Sequence, residues 1–224
     1  MNESKNTLGS PVVQALLARL YAEAKTSDAV LRQMFGALTP EERTRRMSDV
    51  NSDYRKFYGQ AKELYMAVSP ETARLLYMLA RATKARAIVE FGTSFGLSTI
   101  HLAAALRDNG GGKLVGSELE GSKVVQARAN LDAAGLGDLV DLREGDALET
   151  LARDLPETID VVLLDGHKAL YPRIFDLVAP RLRAGSCIVA DNADASPDYL
   201  ARVRTGGTYL SVPFADDVEL SMVV

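Results

Sequence analysis

The 224-residue sequence contains one cysteine, two histidines and no tryptophan, and it carries no excess of positive charge. Its single cysteine, Cys187, excludes an internal disulfide and stands in an apolar run, so we expect a buried structural thiol in a reducing compartment. A net charge of −4 gives no electrostatic reason to bind nucleic acid. No apolar run is long enough to span a membrane, and the polar start of the chain shows no secretory signal. The sequence therefore predicts a cytoplasmic protein that binds neither nucleic acid nor membrane.

The first 82 residues are predicted to form helices without strands. Apolar residues at helical spacing predict a first helix around residues 12–21, and another apolar stripe covers residues 54–65. Between them, Thr39-Pro40-Glu41-Glu42 is a capping box that predicts the start of a second helix, and Ser69-Pro70 predicts the start of a fourth. We expect residues 1–82 to form an N-terminal helical segment that covers the substrate and offers a contact for a homodimer.

From residue 87 onward, predicted strands alternate with predicted helices. Apolar runs such as Val161-Val162-Leu163-Leu164 lack polar alternation, as expected of parallel strands that are covered on both faces. Residues 83–224 are therefore expected to form an α/β domain with a doubly wound, mostly parallel sheet of the Rossmann-like type. Residues 208–213 and 218–224, joined by a short turn, predict a C-terminal antiparallel hairpin. The other predicted strands are residues 87–91, 113–118, 139–143, 159–165 and 186–191, and the helices lie near residues 97–107, 122–134, 147–153, 170–182 and 197–203.

A glycine turn between the first strand and its helix predicts a nucleotide-cofactor site. In Gly92-Thr93-Ser94-Phe95-Gly96, the glycines let the backbone approach a ligand, and the free N–H groups of the helix end face it. The second predicted strand ends at Glu118, where a carboxylate can accept hydrogen bonds from the two hydroxyls of a ribose.

Acidic residues also stand near the end of each predicted parallel strand. Any one of them can be a helix cap, but the carboxyl ends of parallel strands share one edge of the sheet, so five such ends predict one acidic crevice. The residues concerned are Glu90, Glu118, Asp146, Asp165 and the pair Asp191-Asn192.

With these motifs in this order, residues 60–224 resemble the class I S-adenosylmethionine-dependent O-methyltransferases related to catechol and caffeoyl-CoA O-methyltransferases. The resemblance is carried by Met66-Ala67-Val68-Ser69-Pro70-Glu71, the glycine turn with Glu90 and Ser98, Glu118, Gly145-Asp146-Ala147, the Asp165-x-x-Lys168-x-x-Tyr171 pattern and Asp191-Asn192.

The resemblance implies S-adenosylmethionine as the cofactor and a small, phenolic hydroxyl compound as the methyl acceptor. It implies that Lys168, assisted by Asp165, accepts the phenolic proton. Asp165, Asp191 and Asn192 are the implied ligands of a divalent cation, Mg²⁺. The implied cofactor-binding residues are Met66, Val68, Glu90, Gly92, Ser94, Ser98, Glu118, Asp146, Ala147 and Asp165.

Three features depart from the family pattern, and one of them is the short loop between Asn192 and the final hairpin. Ala169 follows Lys168, where family members usually carry an acidic residue. A further acid that grips a second substrate hydroxyl in some relatives has three unranked candidates, Asp194, Asp216 and Asp217. A metal-independent methyltransferase acting on a small molecule is the alternative that these departures leave open.

Three other classes of protein fit parts of the sequence. Gly92-Thr93-Ser94-Phe95-Gly96 matches the nucleophile elbow of α/β-hydrolases, with Asp146 or Asp160 and His167 available to complete a triad. A nicotinamide-dependent oxidoreductase would use Glu118 in the same way, but it prefers a Gly-x-Gly-x-x-Gly turn. A non-catalytic binding protein would leave Lys168 and Asp191-Asn192 without a role.

Overall fold

The computed structural model describes residues 6–39, 42, 53–215 and 217–224. Within them, seven strands form one sheet, flanked by helices on both faces. The strands are β1 (Ala87–Phe91), β2 (Lys113–Glu118), β3 (Val140–Glu144), β4 (Ile159–Leu164), β5 (Leu182–Ala190), β6 (Tyr209–Phe214) and β7 (Val218–Val223). The helices are α1 (Pro11–Ser27), α2 (Ala29–Gly36), α3 (Tyr54–Gln60), α4 (Pro70–Ala82), α5 (Leu97–Asp108), α6 (Gly121–Ala133), α7 (Ala147–Thr150), α8 (Tyr171–Val178) and α9 (Pro197–Arg204).

The sheet has the order β3-β2-β1-β4-β5-β7-β6. Neighbours from β3 to β5 pair in parallel, whereas β7 runs antiparallel to both β5 and β6. All six residues of β4 are buried, as expected of a strand covered on both faces. The doubly wound sheet and its C-terminal antiparallel hairpin are therefore confirmed.

The N-terminal helices differ in part from the prediction. The structure has an additional helix, α2, and α3 ends at Gln60, so Leu64 and Tyr65 follow the helix instead of extending it. The amide of Ala61 bonds to two carbonyl groups of the last turn, which closes α3. The capping box is present, because Thr39 and Glu42 exchange backbone-to-side-chain hydrogen bonds of 2.8 and 3.2 Å. The remainder of the predicted second helix lies outside the described residues.

Within the α/β part, the observed ends of strands and helices agree best with the predicted ends where the residues are buried. β5 begins four residues before the predicted residue 186, because its first residues are largely exposed and give no apolar signal. α7 and α8 are shorter than predicted, and α8 is followed by a turn of 3₁₀ helix over Ala179–Arg181.

Two apolar layers cover the sheet. The layer on one face unites α1, α4 and α5, with Leu20, Leu76 and Ile100 fully buried, so the N-terminal helices share a core with the sheet. The layer on the opposite face packs α8 and α9 on the sheet around Tyr171 and Tyr199. Cys187 is buried in β5, as expected. None of the helices in the described ranges has the length and apolarity needed to cross a membrane.

Candidate functional site

A cavity of about 1180 Å³ opens at the carboxyl ends of the parallel strands. Hydrogen bonding between strands continues just past their ends: the amide of Asp165 donates to the Phe91 carbonyl (2.8 Å) and the amide of Asp191 to the Leu164 carbonyl (2.9 Å). This pairing brings the segments that follow β1, β4 and β5 side by side. The predicted site residues that line the cavity are Met66, Val68, Gly92, Ser94, Glu118, Asp146, Ala147, Asp165, Lys168, Asp191 and Asn192.

The first glycine of the turn, Gly92, is required by the close approach of the chain that follows β4. Gly92 has φ +96°, and a Cβ built there would lie 2.6 Å from the carbonyl oxygen of Asp165 and 2.8 Å from the amide nitrogen of Gly166. We expected Gly92 to give a ligand close access to the backbone, but the Cβ direction points at the chain after β4. Its absence allows that chain to lie against the turn, which brings Asp165 to the cavity.

Glu118 joins the end of β2 to the turn. Its Oε2 accepts a 2.7 Å hydrogen bond from the Ser94 amide, and its Oε1 accepts a 2.9 Å bond from the Glu120 amide. Ser94 itself has φ +48°, and its hydroxyl donates to the Tyr65 carbonyl at 2.6 Å. Because each carboxylate oxygen can accept a second bond, Glu118 retains acceptor capacity toward the cavity.

Two predicted cofactor-binding residues, Glu90 and Ser98, do not line this cavity. Glu90 is fully buried in β1 and accepts hydrogen bonds from Ser98 Oγ (2.6 Å), Thr99 Oγ1 (2.6 Å) and Thr93 Oγ1 (2.9 Å). Burial raises the pKa of Glu90, and the three hydroxyl groups oppose that shift. The structure therefore places Glu90 beneath the turn, where it connects β1 to the first turn of α5.

Asp146 connects the sheet edge to α3. Its Oδ1 caps α7 through the Leu148 amide (3.0 Å), and its Oδ2 accepts bonds from the Tyr54 hydroxyl (2.7 Å) and the Arg55 guanidinium (2.5 Å). The Tyr54 ring stacks on His167 at 5.1 Å between centroids. His167 is buried at the cavity wall, and its Nε2 has no hydrogen-bond partner in the described part of the chain.

Two acids and a lysine form the charged centre of the cavity. Lys168 Nζ lies 3.1 Å from Asp165 Oδ1. Burial raises the pKa of Asp165, and the neighbouring Lys168 opposes that shift. Burial and the charge of Asp165 raise the pKa of Asp191 to about 8. Burial lowers the pKa of Lys168, but the attraction of the two acids outweighs burial, and that pKa is raised.

The ends of β4 and β5 are held together beside this centre. The buried Tyr171 hydroxyl lies 2.7 Å from the Leu164 carbonyl oxygen and 2.8 Å from that of Asp191. Tyr171 is thus a packing residue, and its ring centroid is 5.3 Å from Lys168 Nζ. Asn192 adopts a left-handed conformation, and its Nδ2 donates to Asp217 Oδ2 at 2.7 Å. Asp216, another acid considered above, lies outside the described residues.

The residues do not assemble a hydrolase triad. The Ser94 hydroxyl donates to a backbone carbonyl and accepts from Lys123 (3.3 Å). Asp160 lies at the opposite, amino end of β4, where it accepts bonds from the backbone amides of Arg86 and Ala87. His101 is buried in α5, where its Nδ1 lies 2.8 Å from the Leu97 carbonyl oxygen, so it is a packing residue.

Several cavity residues escaped the sequence analysis. Asp28 lies on the helical segment, which the sequence could not orient relative to the sheet, and its Oδ1 accepts a 3.0 Å bond from the Met66 amide. Tyr54 and Tyr58 belong to the apolar stripe over residues 54–65, which predicts only helix packing, but both line the cavity. Lys123 could have been recognised from the sequence, because it is a charged residue on the same apolar face of α6 as Ala127 and Leu131.

The chain is similar in sequence and in fold to known methyltransferases. Residues 89–193 match a family described as a methyltransferase domain. A catechol O-methyltransferase of Niastella koreensis is 35% identical over 130 residues, covering 57% of this chain and 58% of that protein. A protein of Mycolicibacterium vanbaalenii named "Putative O-methyltransferase" is 35% identical over 168 residues, covering 70% of this chain and 72% of that protein.

A solved structure extends the similarity to most of the chain. The O-methyltransferase of Streptomyces achromogenes involved in tomaymycin synthesis, in complex with SAM, shares 26% identity with a TM-score of 0.61. The superposition covers 90% of this chain and 98% of that one. The sequence identity and the structural similarity agree, and the chain belongs to the class I S-adenosylmethionine-dependent O-methyltransferases.

Proposed function

We propose that this protein transfers the methyl group of S-adenosylmethionine to a hydroxyl oxygen of a small phenolic acceptor, with the help of a divalent cation. The observation that carries the proposal is the shared cavity: Glu118 and the glycine turn line the same space as Lys168 and Asp165. A cofactor site and a proton-accepting group within one cavity are what methyl transfer to oxygen requires.

The cofactor half of the cavity is proposed to be built around Glu118. When bound, S-adenosylmethionine supplies a methyl group activated by a positively charged sulfur. Glu118 accepts hydrogen bonds from the ribose hydroxyls, and Asp146 and Ala147 flank the adenine. Met66, Val68 and Ser94 line the space for the methionine part.

The acceptor half is proposed to lie between the aromatic residues of α3 and Lys168. Phe57 and Tyr58 line the cavity, and flat aromatic walls suit an aromatic acceptor. Burial raises the pKa of Tyr58 to about 12, so its hydroxyl stays protonated near neutral pH. Lys168 is the proposed base, and Asp165 holds its ammonium in place at 3.1 Å.

The donor groups at the ends of β4 and β5 fit a hard cation such as Mg²⁺. The charge of the buried Asp165 raises the pKa of Asp191, and a cation bound by both acids would relieve this repulsion. Asn192 uses its Nδ2 in bonding Asp217, which leaves its amide oxygen as a third ligand of the kind that Mg²⁺ prefers. No group of three or more His, Cys, Asp or Glu side chains suited to a metal occurs in the described residues, so water would have to complete the ligands of an ion held here.

The cation would change the chemistry of both partners. Mg²⁺ held by Asp165, Asp191 and Asn192 would favour the deprotonated form of a phenol beside it. With the charges of the two carboxylates offset in this way, Lys168 would release its proton more readily.

A metal-independent methyltransferase acting on a small molecule is the second candidate. The ion pair between Lys168 and Asp165 favours it, because Lys168 already neutralises one of the two acids. In that case Asp191 is a polar pocket residue, and the acceptor need not be a phenol.

A chelation experiment separates the two candidates. Transfer of a labelled methyl group to a catechol is measured after EDTA treatment and after adding back Mg²⁺, with cofactor binding followed in parallel by calorimetry. We expect EDTA to abolish turnover and Mg²⁺ to restore it, while cofactor affinity changes little. Asp191→Asn should lose Mg²⁺ dependence and most activity, whereas Asp198→Asn, at an exposed position in the first turn of α9, should behave as the wild type. Full turnover in EDTA would leave the metal-independent candidate.

A further inference from the structure

Lys123 is a buried cation at the cavity wall. It lies in the first turn of α6 and is 2% exposed. Its Nζ is 3.3 Å from the Ser94 hydroxyl oxygen and 5.5 Å from the centroid of the Phe95 ring. Lysine side chains are almost never fully buried unless they are paired, so this position calls for a partner.

The side chain has no close counter-ion in the described part of the chain. None of the described carboxylates lies within 4.0 Å of Lys123 Nζ, and Glu118 and Asp28 act on it only at longer range. Burial lowers the pKa of Lys123, and those acids oppose the shift. A buried ammonium that lacks a direct ion pair is unfavourable, and an anion brought in by a ligand would relieve this cost.

The contacts of Lys123 place it at the part of the cavity formed by the glycine turn and residues 65–69. Ser94, its hydrogen-bond partner, donates to the Tyr65 carbonyl, and the next residue, Met66, donates its amide to Asp28. Asp146, Tyr54 and His167 form a separate set of contacts at the proposed adenine position. Lys123 is therefore close to the segment assigned to the methionine part of the cofactor.

We propose that the Lys123 ammonium binds the α-carboxylate of the methionine part of the cofactor. The inference rests on the proposed function and assigns one further binding residue to it. The α-carboxylate is the anionic group of S-adenosylmethionine, and a buried ammonium is its charge complement. The acids on the same wall, Glu118 and Asp28, would repel that carboxylate if Lys123 were absent, so the lysine also lets an acidic cavity admit it.

Two ligands that differ only in the carboxylate test the inference. Binding of S-adenosylhomocysteine and of its decarboxylated analogue is measured by calorimetry for the wild type and for Lys123→Met, which keeps the length of the side chain and removes its charge. We expect Lys123→Met to weaken binding of S-adenosylhomocysteine at least tenfold and binding of the decarboxylated analogue less than about threefold. Lys123→Arg should retain part of the preference for the carboxylate, and Lys113→Met, at an exposed lysine of β2, should leave both affinities unchanged.

Each contrary outcome has a distinct meaning. Equal weakening of both ligands by Lys123→Met would overturn the inference and would show that Lys123 acts by holding Glu118 and the glycine turn. Unchanged affinity for both ligands would overturn it as well. If Lys123→Met does not fold, Lys123→Gln provides a second neutral variant for the same comparison. A wild-type protein that binds neither ligand would overturn the proposed function itself.

Discussion

The backbone amide of Ser94 donates a 2.7 Å hydrogen bond to Glu118 Oε2, and this bond joins the glycine turn after β1 to the end of β2. Glu118→Ala removes the acceptor for this amide and for that of Glu120, together with the proposed ribose contact. We expect cofactor affinity to fall at least tenfold, or about 1.4 kcal/mol, as measured by calorimetry. Glu118→Gln keeps one acceptor oxygen and should lose less. Unchanged affinity in a folded Glu118→Ala protein would contradict the assignment of the cofactor site.

Gly92→Ala should act on the position of Asp165 through the backbone. The new Cβ would lie 2.6 Å from the Asp165 carbonyl oxygen, so the segment that follows β4 must move. We expect a loss of about 2 kcal/mol or more in the free energy of unfolding, measured with urea, and a larger loss of turnover than of cofactor affinity. Gly111→Ala is the matched control, since Gly111 has a similar φ of +106° but no atom within 4 Å of the added Cβ. If both variants lost the same free energy of unfolding, backbone strain alone would explain the effect of Gly92→Ala.

Ser94→Ala distinguishes methyl transfer from serine hydrolase chemistry. The Ser94 hydroxyl bonds the Tyr65 carbonyl and Lys123, so its loss should cost about 1 kcal/mol of stability and leave substantial methyl transfer. A serine nucleophile would lose nearly all activity. Labelling of Ser94 by a fluorophosphonate, absent in the variant, is the result that would contradict the methyltransferase assignment.

The site residues that the sequence predicts correctly are those whose position is set by the end of a strand. Glu118, Asp165 and Asp191 each stand at or just beyond the end of a buried apolar run, so their common edge followed from the parallel sheet. The sequence likewise located the cap of α4, where Ser69 Oγ accepts the Thr72 amide at 3.0 Å. In these cases a local sequence pattern and the regular order of a parallel sheet were sufficient to predict where the residue lies.

Other parts of the site depend on contacts that no local pattern encodes. Tyr54 reaches Asp146 across 92 positions of sequence, and this contact is fixed by how α3 lies on the sheet edge. Glu90 is an opposite case, because the sequence predicts that it binds the cofactor. In the structure, three neighbouring hydroxyl groups enclose its carboxylate. Its burial depends on α5 lying over β1, which the residues around Glu90 do not encode.

His101 should make stability depend on pH. Burial lowers its pKa below the ordinary value of 6.5, and the charge of Arg74 acts in the same direction. The folded state therefore favours neutral His101, so its contribution to stability is complete above about pH 6.5 and is lost as the pH falls through the lowered pKa. We expect the free energy of unfolding, measured with urea between pH 7 and pH 5, to fall less steeply in His101→Gln than in the wild type. Parallel curves would show that His101 does not titrate differently on folding.

Tyr54 should control how long the cofactor stays bound. Its hydroxyl bonds Asp146 at 2.7 Å while its ring stacks on His167, so α3 is fixed to the sheet edge at the proposed adenine position. Tyr54→Phe keeps the ring and removes one hydrogen bond, whereas Tyr54→Ala removes both contacts. We expect dissociation of S-adenosylhomocysteine, followed by stopped-flow fluorescence of a competing analogue, to speed up about threefold in Tyr54→Phe and at least tenfold in Tyr54→Ala.

Arg55→Ala is the matched control for this prediction. Arg55 bonds the same Asp146 oxygen, but its side chain is 62% exposed, and an exposed ion pair contributes little. The rate at which S-adenosylhomocysteine dissociates from Arg55→Ala should therefore stay within about twofold of the wild-type rate. If Arg55→Ala accelerates dissociation as much as Tyr54→Ala does, the charge on Asp146 controls release and the aromatic stack does not. If all three variants match the wild type, α3 does not hold the cofactor, and the wall that retains it must be formed by residues 66–69 and the glycine turn.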